Sequence, residues 1–162
     1  MCRLNFYEVD VLYTDFLREY GDNKILFIRY GKNDRFLCGI LFEIDGMNYF
    51  APISSFKQPQ KSNIIIKDHH GNDIGSIRFG YMFSVPLSLV RKKDFSVKNQ
   101  FYQRLLEEEY NFCLKNSQRI ISKATHIYRN VKEKKDLTLV KNCCDFDVLE
   151  PAYRNYCIMF DV

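Results

Sequence analysis

The first half of the chain carries short apolar runs of strand length, separated by polar turns. Apolar residues dominate 36–44 and 47–53, with Asp45 and Gly46 between the two runs. Because a type I′ turn needs positive φ at both central residues, Asp-Gly in this position predicts a tight hairpin. Further strands are predicted at residues 6–9, 24–30, 63–68 and 74–85. Since their connections are short, the sheet should be antiparallel and strongly twisted.

Apolar positions in the second half of the chain recur with helical spacing instead. They repeat every three to four residues over 101–113 and again over 120–131. This pattern predicts two amphipathic helices, with Ser117 as the cap of the second. A last short helix is predicted over residues 149–156, where Pro151 falls in the first turn and is therefore tolerated.

An earlier short helix is predicted over residues 11–20, with Asp10 as its N-terminal cap. Its spacing assigns Leu12, Phe16, Leu17 and Tyr20 to the stripe that faces the core, and it leaves Tyr13 outside that stripe. Strands followed by helices, with no linker or repeat between them, predict one α+β domain over residues 1–162.

Composition indicates a folded domain and excludes several other classes of protein. Hydrophobic residues make up 46% of the chain and aromatic residues 15%, which excludes a disordered protein. No apolar run approaches the roughly 18 residues of a membrane span, and the N-terminus lacks a signal peptide. The six cysteines include no C-x-x-C pair, so free thiols in a reducing cytoplasm are expected. His69 and His70 lack a third ligand, and neither a metal site nor a cofactor is predicted.

Positive charge is concentrated in one region of the chain. Residues 91–141 hold 13 Lys and Arg against 6 Asp and Glu, a balance of +7, although the whole chain carries only +4. A basic region on a folded domain suits a polyanionic partner, but it also fits two solvated helix faces. Within it, Arg119, Lys123 and His126 form a basic stripe on the predicted second helix.

The hairpin ends in a cluster of polar residues that suits chemistry. Ser54 and Ser55 close the second strand of the hairpin, and Lys57 follows two residues later. Hydroxyl groups and a lysine on the end of a buried strand are held on a rigid base, as an active site requires. The alternative is ordinary turn chemistry, in which serines simply favour the bend.

Several motifs together resemble the ToxN/AbiQ family, the endoribonuclease toxins of type III toxin–antitoxin systems. The clearest covers residues 39–57, which read Gly-Ile-Leu-Phe-Glu-Ile-x-Gly-x-x-Tyr-Phe-Ala-Pro-Ile-Ser-Ser-x-Lys. Others lie at residues 6–17, 102–106, 112–123, 129–130 and 146–154. The resemblance covers nearly the whole chain, and it depends on the order and spacing of these pieces rather than on any one of them.

The resemblance implies both a fold and a reaction. The fold is a strongly twisted antiparallel sheet, or partial barrel, with packed helices, distantly similar to MazF/Kid-like toxins. The reaction is metal-independent RNA cleavage that leaves a 2′,3′-cyclic phosphate and a 5′-hydroxyl. The catalytic residues carried over are Ser54, Ser55, Lys57, Arg35 and, as the nearest tyrosine, Tyr30. RNA contacts are expected from Tyr13, Lys32, Asn116, Ser117, Arg119, Lys123 and His126, with Lys32 also an alternative to Arg35 as the basic catalytic position.

The resemblance also implies RNA partners. These are a target RNA and a repeated antitoxin RNA folded as a pseudoknot, which the toxin processes and which closes a heteromeric protein–RNA ring. The residues themselves leave two other classes open: a non-catalytic RNA-binding module, and a protein-interaction domain whose basic helices meet an acidic partner. The biological setting, phage defence or plasmid maintenance, also stays open.

Overall fold

A computed structural model describes residues 4–25, 38–96 and 99–162 of the chain. The predicted strand at 24–30 falls almost wholly outside these residues. So do three predicted site residues: Tyr30, Lys32 and Arg35.

The described residues form seven strands in one open antiparallel sheet. The strands are β1 (Phe6–Val9), β2 (Gly39–Ile44), β3 (Met47–Ser54), β4 (Asn63–Lys67), β5 (Asp73–Arg78), β6 (Phe83–Ser84) and β7 (Val90–Lys92). Their order is β4-β5-β3-β2-β1-β7, and β6 also pairs with β3. The predicted antiparallel sheet is therefore confirmed. It is not closed into a barrel, since β4 and β7 end the order.

The central hairpin of β2 and β3 is formed as predicted. Its pairing runs without a bulge from Ile44↔Met47 to Gly39↔Pro52. Asp45 has φ 51° and Gly46 has φ 81°, the positive values that a type I′ turn requires.

The predicted strand at 74–85 is broken into two. β5 ends at Arg78, and a 3₁₀ turn at Phe79–Tyr81 precedes the short β6. Gly80 has no side chain, so the backbone before α5 can approach it closely. The Gly80 carbonyl accepts a hydrogen bond from the Cys144 amide at 2.8 Å. β5 and β6 consequently pair with different parts of β3.

Five helices surround the sheet in the described part of the chain. They are α1 (Val11–Tyr20), α2 (Gln100–Lys115), α3 (Ser117–Lys132), α4 (Leu137–Asn142) and α5 (Phe146–Phe160). The predicted α1 is confirmed, whereas α4 is absent from the prediction. The prediction of a short last helix was wrong, because Asp145 caps α5 three residues earlier than the sequence pattern suggested. Pro151 thus lies inside α5, beyond its first turn.

Two apolar clusters fill the space between these layers. One contains Ile40, Phe42 and Ala51 from the sheet with residues of α2 and α3 such as Leu106 and Ile120. The other contains residues of α1 and α5 with parts of β3 and β6: Tyr13, Leu17, Phe50, Phe83, Leu149 and Tyr156. Phe50 and Ala51 belong to different clusters because successive side chains of a strand point to opposite faces.

The buried face of α1 differs from the one that the sequence pattern predicted. Tyr13 is fully buried, whereas Leu12 is 73% exposed and Tyr20 is 64% exposed. Most positions of α1 are apolar, so spacing alone did not decide which stripe meets the core. The Tyr156 ring of α5 decides it by packing edge-on against Tyr13 at 4.9 Å between ring centroids.

Two further expectations concern the cysteines and membrane-spanning helices. Cys38, Cys113, Cys143, Cys144 and Cys157 are free thiols, and the first four are buried. Among the described residues, no helix has both the length and the apolar character to span a lipid bilayer.

Candidate active site and basic helix

The hydroxyl pair lies where β3 ends and the chain turns away from the sheet. Ser54 is the last residue of β3, is half-buried and pairs with Ser76 of β5. Its Oγ accepts a hydrogen bond from the Phe56 amide at 3.1 Å, which fixes the turn. Ser55 and Lys57 are exposed, and neither side chain has a hydrogen bond or ion pair within the described residues.

The backbone under this pair is held on both edges. The Ile53 amide donates to the Cys38 carbonyl at 2.8 Å on one side, and Ile53 pairs with Ile77 of β5 on the other. Beyond the turn, buried Asn63 donates from Nδ2 to the Gln58 carbonyl at 2.9 Å. The end of β3 is therefore a rigid base, and Ser55 and Lys57 follow it directly.

An arginine lies on the same face of the sheet, and sequence reasoning missed it. Ser54 and Ser76 are opposite each other in the β3–β5 pairing, so their side chains share a face. Arg78 follows Ser76 by two residues and therefore points to that face as well. Its guanidinium carbon lies 4.3 Å from the centroid of the Phe56 ring and 4.8 Å from that of Tyr81.

Beneath the hydroxyl pair, the opposite face of the sheet meets a buried carboxyl group. A Cβ added at Gly75 would lie 2.7 Å from the Ser54 carbonyl oxygen and 3.6 Å from Oε2 of Glu109. Glu109 is 6% exposed, and burial raises its carboxyl pKa to about 8. Gly75 thus allows β5, β3 and α2 to approach closely under Ser54.

The basic residues predicted on the second helix do share one region of α3. Arg119 and His126 are exposed, and Lys123 between them is half-buried. The pKa of Lys123 is lowered by burial and, to a lesser extent, by the charge of Arg119 one turn away. A groove of about 680 Å³ follows the same helix, lined in part by His126, Arg129 and Lys135.

This groove lies toward the far end of the hairpin from the hydroxyl pair. Arg129 approaches the turn residue Asp45, with 3.7 Å between Nη2 and Oδ1. β3 starts beside that turn and ends at Ser54, so the turn and the hydroxyl pair are roughly 23 Å apart at about 3.3 Å per residue. The structure therefore does not bring the C-terminal half of α3 to the hydroxyl pair.

Three predicted RNA contacts have structural roles. Tyr13 is fully buried, its hydroxyl donates to the Ser84 carbonyl, and burial raises its pKa. It therefore presents no surface to a ligand.

Asn116, not Ser117, is the N-cap residue of α3, and its Nδ2 donates to the Phe112 carbonyl at 2.9 Å. Ser117 is the first residue of that helix.

The histidine pair lies in the turn between β4 and β5. The His69 amide donates to Oε2 of Glu108 at 3.0 Å, and the two histidine rings are in contact at an interplanar angle of 42°. Within residues 4–25, 38–96 and 99–162, no group of three or more His, Cys, Asp or Glu is arranged to hold a metal ion.

Comparisons with known sequences place this geometry in a family context. The family model described as "Toxin ToxN, type III toxin-antitoxin system" matches residues 5–154. Endoribonuclease ToxN of Bacillus thuringiensis subsp. kurstaki is 28% identical, over 93% of this chain and 83% of that protein. Endoribonuclease AbiQ of Lactococcus lactis subsp. lactis is 25% identical, over 91% of this chain and 86% of that protein.

Solved structures share the fold. A type III toxin described as selectively inhibited by a non-coding RNA pseudoknot superposes with a TM-score of 0.83, over 96% of this chain and 98% of that chain, at 24% identity. AbiQ, described as a lactococcal anti-phage endoribonuclease, superposes with a TM-score of 0.80 at 20% identity, over 96% of this chain and 98% of that one.

Proposed function

Because the chain belongs to the ToxN toxin family of type III toxin–antitoxin systems, we propose that it is an endoribonuclease toxin with its active groove at the end of β3. Relatives that align over more than nine-tenths of the chain are named endoribonucleases. The observation that carries the proposal is that Ser55 and Lys57, which are exposed and have no partner among the described residues, directly follow a strand that is paired on both edges.

The proposed reaction is attack by the internal 2′-hydroxyl of RNA on the adjacent phosphorus. The 2′-hydroxyl gives up its proton, its oxygen forms a bond to phosphorus, the bond to the 5′-oxygen breaks, and that oxygen takes up a proton. The products are a 2′,3′-cyclic phosphate and a 5′-hydroxyl, and the step needs in-line positioning and charge stabilisation rather than a metal. A serine hydroxyl with an ordinary pKa is a poor base, so no general base is assigned.

Each residue of the proposed site has a role that follows from its chemistry. Ser55 donates a hydrogen bond to the 2′-hydroxyl or to a phosphate oxygen, with Ser54 beside it. Lys57 stabilises charge on the phosphorane or protonates the leaving oxygen. Arg35 and Tyr30 complete the set by family resemblance, and both lie outside the described residues.

The proposed partners are a target RNA and a repeated antitoxin RNA pseudoknot, assembled with several toxin copies into a ring. The α3 residues Arg119, Lys123 and His126 would contact the phosphates of the bound RNA. A single cytoplasmic domain over residues 1–162, a distant likeness to MazF/Kid-like toxins, and a role in phage defence belong to the same proposal.

The proposal is tested by changing Ser55 to Ala. Expressed without antitoxin, the wild-type chain should arrest growth and Ser55→Ala should not, because the reacting phosphate loses a hydrogen-bond donor. In EDTA, purified wild-type protein should cleave an unstructured adenine-rich RNA to fragments whose 5′-hydroxyl ends accept phosphate from polynucleotide kinase.

Ser88→Ala is the matched control, because Ser88 is another exposed serine that lies away from the end of β3. Growth arrest by Ser55→Ala would contradict the assignment of Ser55. RNA that binds to the wild-type protein but stays intact in both the presence and absence of EDTA would instead favour the non-catalytic RNA-binding module.

A further inference from the structure

Arg78 is a cation fixed beside the hydroxyl pair by packing alone. Its guanidinium rests against the rings of Phe56 and Tyr81, at 4.3 and 4.8 Å from their centroids. Cation–π contact and stacking hold an arginine in place through the face of its plane and leave the N–H groups at its edge. In the described part of the chain, Arg78 has no hydrogen bond or ion pair, so those donors remain available.

The surrounding strands place this cation next to Ser54. Arg78 occupies the position diagonal to Ser54 across the β3–β5 pairing, where Cα atoms are about 7–8 Å apart. On its other side, Arg78 pairs with Asn63 of β4, the residue that anchors the loop beyond the hydroxyl pair. Phe56 itself lies between Ser55 and Lys57 in the sequence, so one turn carries the ring, the hydroxyl group and the lysine.

We propose that Arg78 is a phosphate-binding residue of the groove, whose guanidinium receives a phosphodiester of the RNA strand beside Ser54 and Ser55. A planar guanidinium binds two phosphate oxygens through parallel N–H groups, which lysine cannot do. Because Phe56 and Tyr81 already restrict the side chain, little conformational freedom is lost when the phosphate binds. This inference rests on the proposed function in its choice of ligand, but its test does not depend on cleavage.

The test measures binding of a single-stranded RNA oligonucleotide to the Ser55→Ala protein, with and without Arg78→Met. Loss of a charged hydrogen-bonding contact should weaken binding by about 10- to 100-fold. Loss of one phosphate contact should also lower the slope of log K against log salt by about 0.7. Arg104→Met is the matched control, because Arg104 is an exposed arginine of α2, which packs on the opposite face of the sheet. Unchanged affinity and slope in a folded Arg78→Met protein would overturn the proposal.

A second measurement needs no substitution at Arg78. Phenylglyoxal modifies accessible guanidinium groups, and mass spectrometry locates the modified residues. With bound RNA, Arg78 in the Ser55→Ala protein should be protected at least fivefold more than Arg104. Equal modification of Arg78 with and without saturating RNA would exclude the phosphate contact, even if Arg78→Met fails to fold. Wild-type protein assayed in parallel reports separately on cleavage, so failure of the nuclease proposal is distinguishable from failure at Arg78.

Discussion

At the scale of single residues, several side chains depend on partners that are distant in the sequence. Tyr13 illustrates this, because its hydroxyl reaches the carbonyl of Ser84 and so permits a tyrosine in the core. Arg78 illustrates it again, through its contacts with Phe56 and Tyr81. Glu109 is the opposite case: it is buried without a hydrogen bond or ion pair among the described residues.

Glu109 should make stability depend on pH. Its pKa is about 8 in the folded chain, above its ordinary value of 4.5. Between these values the folded state binds more protons than the unfolded state, so the free energy of unfolding falls as pH rises through this window. Glu109→Gln should remove that loss and stabilise the protein at pH 8.5 by about 1–3 kcal/mol.

Urea unfolding at pH 5.5 and pH 8.5 measures this effect. Glu107→Gln is the control, since Glu107 is an exposed carboxylate of the same helix. A pH dependence that is identical in wild type and Glu109→Gln would show that Glu109 is ionised in the folded state.

At the scale of elements, local signals were predicted well and distant contacts were not. The β2–β3 hairpin was predictable because Asp45 and Gly46 specify its turn by themselves. The helix α4 was missed because its six residues are too few for a periodic pattern, and Leu137 is exposed. The hydroxyl pair and Lys57 were predicted from the polar end of the hairpin and from the resemblance, whereas Arg78 depends on a bend after β5 that spacing does not specify.

Gly75 tests whether the contact between strands positions the site. In Gly75→Ala the new Cβ would lie 2.7 Å from the Ser54 carbonyl oxygen, so the end of β3 must shift. We expect a loss of about 1–3 kcal/mol in the free energy of unfolding and a clear fall in cleavage rate at saturating RNA.

Ser76→Ala is the neighbouring control. The Ser76 hydroxyl is buried and has no hydrogen-bond partner among the described residues, so its removal should leave stability unchanged or slightly improved. Chemical denaturation measures the free energy of unfolding, and single-turnover cleavage at saturating RNA measures the cleavage rate. Normal cleavage by a Gly75→Ala protein would show that the position of Ser54 tolerates the shift.

At the scale of the whole molecule, the proposed active groove and the C-terminal half of α3 occupy different regions. The hydroxyl pair lies at one end of β3, and Arg129 of α3 lies beside the turn at the other. An RNA strand must therefore extend over several nucleotides to use both regions. Short RNA would occupy only the end of β3.

Charge reversal on α3 should consequently depend on substrate length. Arg129→Glu should lower kcat/KM for a long single-stranded RNA at least tenfold, because phosphate contacts dominate such binding and Arg129 lies at the far end of the hairpin. The same variant should cleave a trinucleotide at the wild-type rate. Lys67→Glu, at an exposed lysine of β4, controls for the change in net charge. Equal losses on long and short RNA would show that Arg129 acts at the cleavage centre instead.

The interruption of the strand after Arg78 has a consequence for how the groove recognises its ligand. Because the chain coils into a 3₁₀ turn there, Tyr81 is carried to the guanidinium of Arg78. An uninterrupted strand would send the tyrosine along the sheet and leave the arginine to sample many rotamers. The bend thus restricts the Arg78 side chain before any phosphate binds, which lowers the conformational entropy that the proposed contact would cost.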